Sequence, residues 1–201
     1  MIPISVVVEG DLDEAVLRSV AQHIDVPVGR VHGKRGRDAI EQRIASYQRA
    51  ARAMRSPWMV LIDLDRDECA PRIRRSLLPE PSEFLELRVA VREVESWLLA
   101  DRERIARFLR VSADLIPLQP EALDDPKRFL GTLAGRSSAR DIRLDVAPRE
   151  GGGREVGPAY GSRMAEFVQD TRSGWRPAVA ARSSDSLRRC LAALTRLRER
   201  A

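Results

Sequence analysis

Four short apolar runs, separated by segments of helical period, organise the first half of the chain. ISVVV (4–8) and WMVLID (58–63) are nearly continuous apolar stretches, as expected for strands covered on both faces. VPVGRVHG (26–33) and FLELRVAV (84–91) supply two further strand candidates. Between them, residues 12–23 place Leu12, Ala15, Val16, Ser19 and Val20 at helical spacing. Residues 37–54 place Ile40, Ile44 and Tyr47 on one stripe, and a short helix is expected over 71–78. Strands alternating with helices predict a parallel sheet flanked by helices.

After Glu93 the pattern becomes helical and is punctuated by prolines. ESWLLADRERIARFLRV predicts two short helices, the second capped by Asp101, and DPKRFLGTLAGR (125–136) predicts another with Pro126 in its first turn. Three glycines in PREGGGREVGP (148–158) mark a loop. GPAYGSRMAEFVQ reads as a helix. The closing SSDSLRRCLAALTRLRER is amphipathic, with Leu187, Leu191, Leu194 and Leu197 on its apolar side and Ser184 or Asp185 at its cap. The expected organisation is therefore an α/β core over 1–95 and a helical, arginine-rich extension over 96–201.

Charge adds a direction to this outline. The net charge is +5, but residues 1–100 hold 15 Lys+Arg against 16 Asp+Glu, whereas residues 101–201 hold 20 against 14. All but two of the basic residues are arginines, which suit bidentate phosphate contacts. Nucleic acid is the partner class this suggests. Cys69 and Cys190 lack metal-ligand spacing, and no apolar run approaches the roughly 20 residues of a membrane span. A reduced, cytoplasmic protein with no membrane partner is expected.

The candidate chemistry lies in two acidic stretches that follow strands. VVVEGDLDE places Glu9, Asp11, Asp13 and Glu14 together, and LIDLDRDE alternates Asp63, Asp65 and Asp67. Sites in open parallel sheets gather at the carboxyl ends of strands, so one edge could present both groups. Extended alternation would point Asp63 and Asp65 the same way. Oxygen ligands converging from two strand ends are what Mg2+ or Mn2+ requires. The same acids could instead cap helices, with Asp11 or Asp13 serving the first one.

The order of apolar run, Glu9-Gly10-x-x-Asp13, helix, second βα unit and Asp63-x-Asp65 resembles the Toprim domain of topoisomerases, primases and OLD nucleases. The resemblance covers roughly residues 3–92. It implies that Glu9 acts as metal ligand or general acid/base and that Asp63 and Asp65 hold the metal. Asp67 would be an additional ligand, and Asp13, at the spacing of a further acid in OLD-type members, a second-metal ligand. REVESWLLAD (92–101), DDPKRFL, VGPAY and SSDSLRRCL together resemble the DUF4276 family, whose members are Toprim-like and often sit beside an ATPase gene. That resemblance implies an ATPase partner and a place in phage defence.

Other residues extend the candidate site. Glu95, flanked by apolar residues in Glu-Ser-Trp, is a further candidate ligand; Trp97 reads as core. Lys34 and Arg35 in GKRGR, and Arg149 and Arg154 around the glycine loop, are candidate phosphate contacts. His23 and His32 have no partner pattern. LIDLD also resembles the haloacid-dehalogenase phosphatase motif, but two βα units precede it and no later Gly-Asp-x-x-x-Asp follows. The leading expectation is metal-dependent phosphodiester hydrolysis. The alternative is a non-catalytic or latent subunit of an ATPase system that binds nucleic acid. Strand transfer would need a tyrosine nucleophile, and Tyr47 and Tyr160 both fall in expected helices.

Overall fold

A computed structural model describes residues 2–66, 69–80, 82–149 and 151–200. The chain divides into two compact units, one of residues 1–91 with 186–201 and the other of residues 92–185. The terminal helix, grouped by sequence with the extension, thus belongs to the sheet unit.

In the sheet unit, β1 (Ile4–Val8), β2 (Val28–Gly33), β3 (Trp58–Asp63) and β4 (Leu85–Ala90) form one sheet of order β2-β1-β3-β4, every pair parallel. This is an α/β fold, a parallel sheet flanked by helices. The central strands are sealed on both faces: Val6, Val7, Val8 and Met59 to Ile62 expose 1% or less. Their unbroken apolar runs have this cause.

One face carries Val7, Trp58, Val60, Ile62, Leu85, Leu87 and Val89. Against it pack Ile40 of α2 (Arg37–Glu41), Ile44 and Ala51 of α3 (Ile44–Met54), and Ile73 and Leu77 of α4 (Ala70–Leu77). Alternation turns Ile4, Val6, Val8, Met59, Leu61 and Glu86 to the opposite face. That face takes α1 (Asp11–His23) and the C-terminal helix (Asp185–Arg200). The terminal helix is tied there by Arg196 to Glu86 at 3.2 Å and by Arg198 Nη1 donating to the Ile24 carbonyl at 2.9 Å.

The single helix expected over 37–54 is two helices. Arg43 N–H bonds the Ile40 carbonyl, three residues back, and the chain tightens between α2 and α3. Ile40 and Ile44 nevertheless both stay in the core.

In the second unit, α5 (Val94–Ala100) is buried at all seven positions. Trp97 exposes 0% and is core. Around α5 lie α6 (Arg102–Leu109), α7 (Pro126–Gly135), α8 (Arg140–Asp145), α9 (Tyr160–Gln169) and α10 (Pro177–Ala180). Asp125 caps α7 by accepting from Arg128 N–H, with Pro126 in the first turn. Asp101 occupies the N-cap position of α6, but its side chain makes no capping bond there. It accepts from Arg176 instead, a tertiary partner that outcompetes the local one. Ser184 likewise turns its hydroxyl to Glu121 at 2.6 Å. No helix among the described residues is long and apolar enough to cross a membrane.

Candidate metal and phosphate site at the carboxyl edge of the sheet

The carboxyl end of β1 is fixed by the loop that follows β2. Lys34 N–H donates to the Val8 carbonyl at 2.8 Å, and Gly36 N–H donates to the Glu9 carbonyl at 3.1 Å. Gly33 makes this closure possible. Its φ is +89°, and a Cβ there would lie 2.2 Å from the Val8 carbonyl oxygen. Gly33→Ala is therefore expected to cost about 2–4 kcal/mol through strain and a forced shift of this loop. Thermal unfolding of the variant reads that cost; an unchanged melting temperature would refute the tight fit.

With the backbone so placed, the Glu9 side chain crosses to the end of β3. Its Oε1 accepts the Asp63 N–H at 2.8 Å, joining residues 54 apart in sequence. Burial is the main influence raising the proton affinity of Glu9 from 4.5 to about 7. The Asp63 N–H opposes it, the charges of Asp13 and Asp65 add to it, and Arg37 partly offsets them. Carboxylates from α1 and from the end of β3 therefore lie within electrostatic reach of one carboxyl group.

The crowded acids at the start of α1 have separate fates. Lys34 Nζ pairs with Asp11 at 2.9 Å and also with Glu14, which Arg18 contacts as well. Asp13 is buried at 7% exposure and stands over Gly10, where a Cβ would come within 3.2 Å of its Oδ2. The N-cap position of α1 is held by Gly10, so neither Asp11 nor Asp13 occupies it. Lys34, expected as a phosphate contact, is thus engaged in neutralising two carboxylates.

The expected alternation of Asp63 and Asp65 does not hold. β3 ends at Asp63, and Asp65 has a left-handed φ of +51°, so the chain turns where extension was expected. Arg37, at the start of α2, approaches this turn. Its Nη1 lies 3.5 Å from the Asp63 carbonyl and 3.8 Å from Asp65 Oδ2, while its Nε donates to Glu41 at 2.6 Å. Strand-end reasoning did not single out Arg37, because it belongs to a helix start. The signal available was its place in GKRGR, whose loop is zipped to β1.

The donor chemistry around Glu9, hard carboxylate oxygens from a strand end, a helix and a turn, suits Mg2+ or Mn2+. Among the described residues, however, no group of three or more His, Cys, Asp or Glu stands together as a ready metal cage. Asp67 lies outside the described residues.

The remaining candidates behave differently. Arg35 is exposed in the loop beside Arg37. In the second unit, Glu95 exposes 4% and accepts the Tyr160 hydroxyl at 3.2 Å. Burial, then the charge of Glu95, pushes the Tyr160 phenol well above its ordinary range, so it is held as a protonated donor and is unsuited to nucleophilic attack. Glu93 accepts the Lys127 N–H at the start of α7 at 2.9 Å. Arg149 and Arg154 are exposed and line one surface cavity of about 210 Å3 with Gly152, Val156 and Pro158.

No family model and no curated protein matches the chain. Among solved structures, it is similar to the C-terminal region of the Xanthomonas campestris pv. campestris OLD protein. That similarity has 15% identity and a TM-score of 0.40 over 94% of this chain and 95% of the other.

Proposed function

We propose that this protein is a divalent-metal-dependent nuclease of Toprim type, hydrolysing phosphodiester bonds of nucleic acid with Mg2+ or Mn2+. The observation that carries the reading is the Glu9 carboxylate bonded to the Asp63 backbone across two strand ends, its proton affinity raised first by burial and further by the charges of Asp13 and Asp65. The order of those residues in the sequence, which resembles Toprim and DUF4276 proteins, supports it.

Asp63 and Asp65 would hold the ion, joined by Glu9 in its ligand role, with Asp13 and Asp67 as further candidate ligands. When bound, the metal supplies Lewis acidity toward a phosphoryl oxygen and a more acidic water. The residues of the chain supply the rest. In its other role, beside the ion and not on it, Glu9, whose proton affinity burial raises, would accept and return a proton at the reacting oxygens. Arg37, with Arg35, offers the positive charge that positions a scissile phosphate, and Arg149 and Arg154 offer a phosphate grip of their own in the second unit. An ATPase partner, implied by the DUF4276 resemblance, would set when this activity is expressed.

The test is cleavage of labelled DNA and RNA by the purified protein with Mg2+ or Mn2+, alone and with an ATPase partner and nucleotide. Wild type is expected to nick or degrade substrate and Asp63→Ala to leave it intact. Equal cleavage by both would overturn the reading. No cleavage by wild type in any condition would leave the non-catalytic subunit in its place.

A further inference from the structure

Away from the acidic rim, the sheet unit gathers three guanidinium groups on one carboxylate. Glu86, on β4, has a side chain 9% exposed. Its Oε2 meets Arg88 Nη2 at 3.0 Å and Arg74 Nη2, from α4, at 3.8 Å. Its Oε1 meets Arg196 Nη2, from the terminal helix, at 3.2 Å. Among the described residues, Glu86 is the one acid with which any of the three forms an ion pair.

One carboxylate cancels one guanidinium, so the cluster carries an excess of two positive charges. Joining α4, β4 and the terminal helix would need no such excess, since like charges this close repel. Burial lowers the proton affinity of Arg88; Glu86 opposes this, and Arg74 and Arg196 lower it further. The Arg88 Nε is sealed from solvent with no acceptor among the described residues. Arg74 and Arg196, by contrast, keep side chains 46% and 42% exposed, so their charged ends are open to a ligand. The surroundings strengthen the bias. Residues 70–77 contain Arg72, Arg74 and Arg75 and no acid, and all three arginines are exposed. Position also fits: Asp63 pairs with Ala90, and Glu86, which Arg74 and Arg196 contact, precedes Ala90 by four residues, about 13 Å of strand. A polyanion lying across the rim would reach these arginines within a few nucleotides.

We propose that Arg74 and Arg196, backed by Arg88 around Glu86, form a docking surface for the phosphate backbone of a nucleic-acid strand beside the acidic rim. The proposal rests on the nuclease reading for its ligand class. It is separable in experiment because binding is read without cleavage.

The test is fluorescence anisotropy of a labelled single-stranded DNA 20-mer in EDTA, titrated over a series of NaCl concentrations. Arg74→Gln/Arg196→Gln is expected to weaken binding at least tenfold at low salt. It should also reduce the log–log salt slope by about 1.4, two contacts at about 0.7 each for a single strand. Arg74→Gln alone removes the longest of the three pairs, so it tests the surface if the double variant melts early; its expected loss of slope is about 0.7. Arg107→Gln, an exposed arginine of the second unit paired with Glu103, is the control and should leave affinity unchanged. Unchanged affinity and slope in the folded Arg74 variants, or no binding by wild type, would overturn the proposal. Normal binding by an Asp63→Ala protein that still cleaves would sink the nuclease reading and leave this surface standing.

Discussion

Exchanging Glu9 for glutamine is expected to lower metal-dependent cleavage by about 10²–10⁴-fold, the range for loss of a general acid or base. The same change is expected to stabilise the folded protein above pH 7. The folded-state value for Glu9, about 7, lies above its ordinary 4.5, so between these limits the native protein holds a proton that the unfolded chain has released. Stability from this group is therefore full below pH 4.5 and falls as pH rises to about 7, beyond which the cost of burying the charge is complete. A shift of that size corresponds to at most about 3 kcal/mol, and solvent access to the carboxyl screens it to roughly 1–2 kcal/mol. Glutamine carries no charge at any of these pH values. In EDTA at pH 8, Glu9→Gln should thus melt about 2–8 °C above wild type, and at pH 4 the gap should close. Coincident melting curves at pH 8 would mean that the carboxylate ionises in the fold without penalty, contrary to its burial beside Asp13 and Asp65.

A second large effect is expected far from the acids. Asp101 exposes 1% and receives Arg176 in a fork, Nε at 2.9 Å and Nη2 at 2.7 Å, with the Arg176 N–H at 3.0 Å. The guanidinium is also shared with Glu103 at 2.8 Å, and the two acids hold its proton affinity above the ordinary value. Arg176→Met leaves a buried carboxylate without its counter-charge, a loss of about 3–5 kcal/mol. For a chain of this size the melting temperature should drop by roughly 6–20 °C. Asp101→Asn should cost less, since Arg176 is 35% exposed and can turn to Glu103 and solvent. Calorimetry of both variants gives the order, and a more damaging Asp101→Asn would reverse the assignment of which partner is trapped.

Much of the sheet unit was legible because its strands are sealed on both faces, which leaves continuous apolar runs such as ISVVV and WMVLID. The meeting of Glu9 with Asp63 was also legible, because parallel strands bring their carboxyl ends to one edge. What sequence could not reveal depends on partners chosen in three dimensions. Lys34 reads as a phosphate contact from its loop, while its ion pairs with Asp11 and Glu14 depend on the fold that brings α1 beside that loop. Asp101 looked like a cap because Arg176 is 75 positions away. The break between α2 and α3 carries no glycine or proline, so no residue type announced it. Short helices such as Arg140–Asp145, with Ile142 as their one buried residue, have too little apolar stripe to register.

Because Val91 donates its N–H to the Ser186 hydroxyl at 3.2 Å, the two chain crossings between the units are pinned side by side. Residues 92–185 are in effect an insertion that leaves and re-enters its host at one point. On the ribosome, the sheet must wait until residues 92–185 have been made before Leu187, Cys190, Leu194 and Leu197 can join the cover of its second face. Loss of the terminal helix would uncover the part of that face it shares with α1, while the face under α2, α3 and α4 would stay sealed.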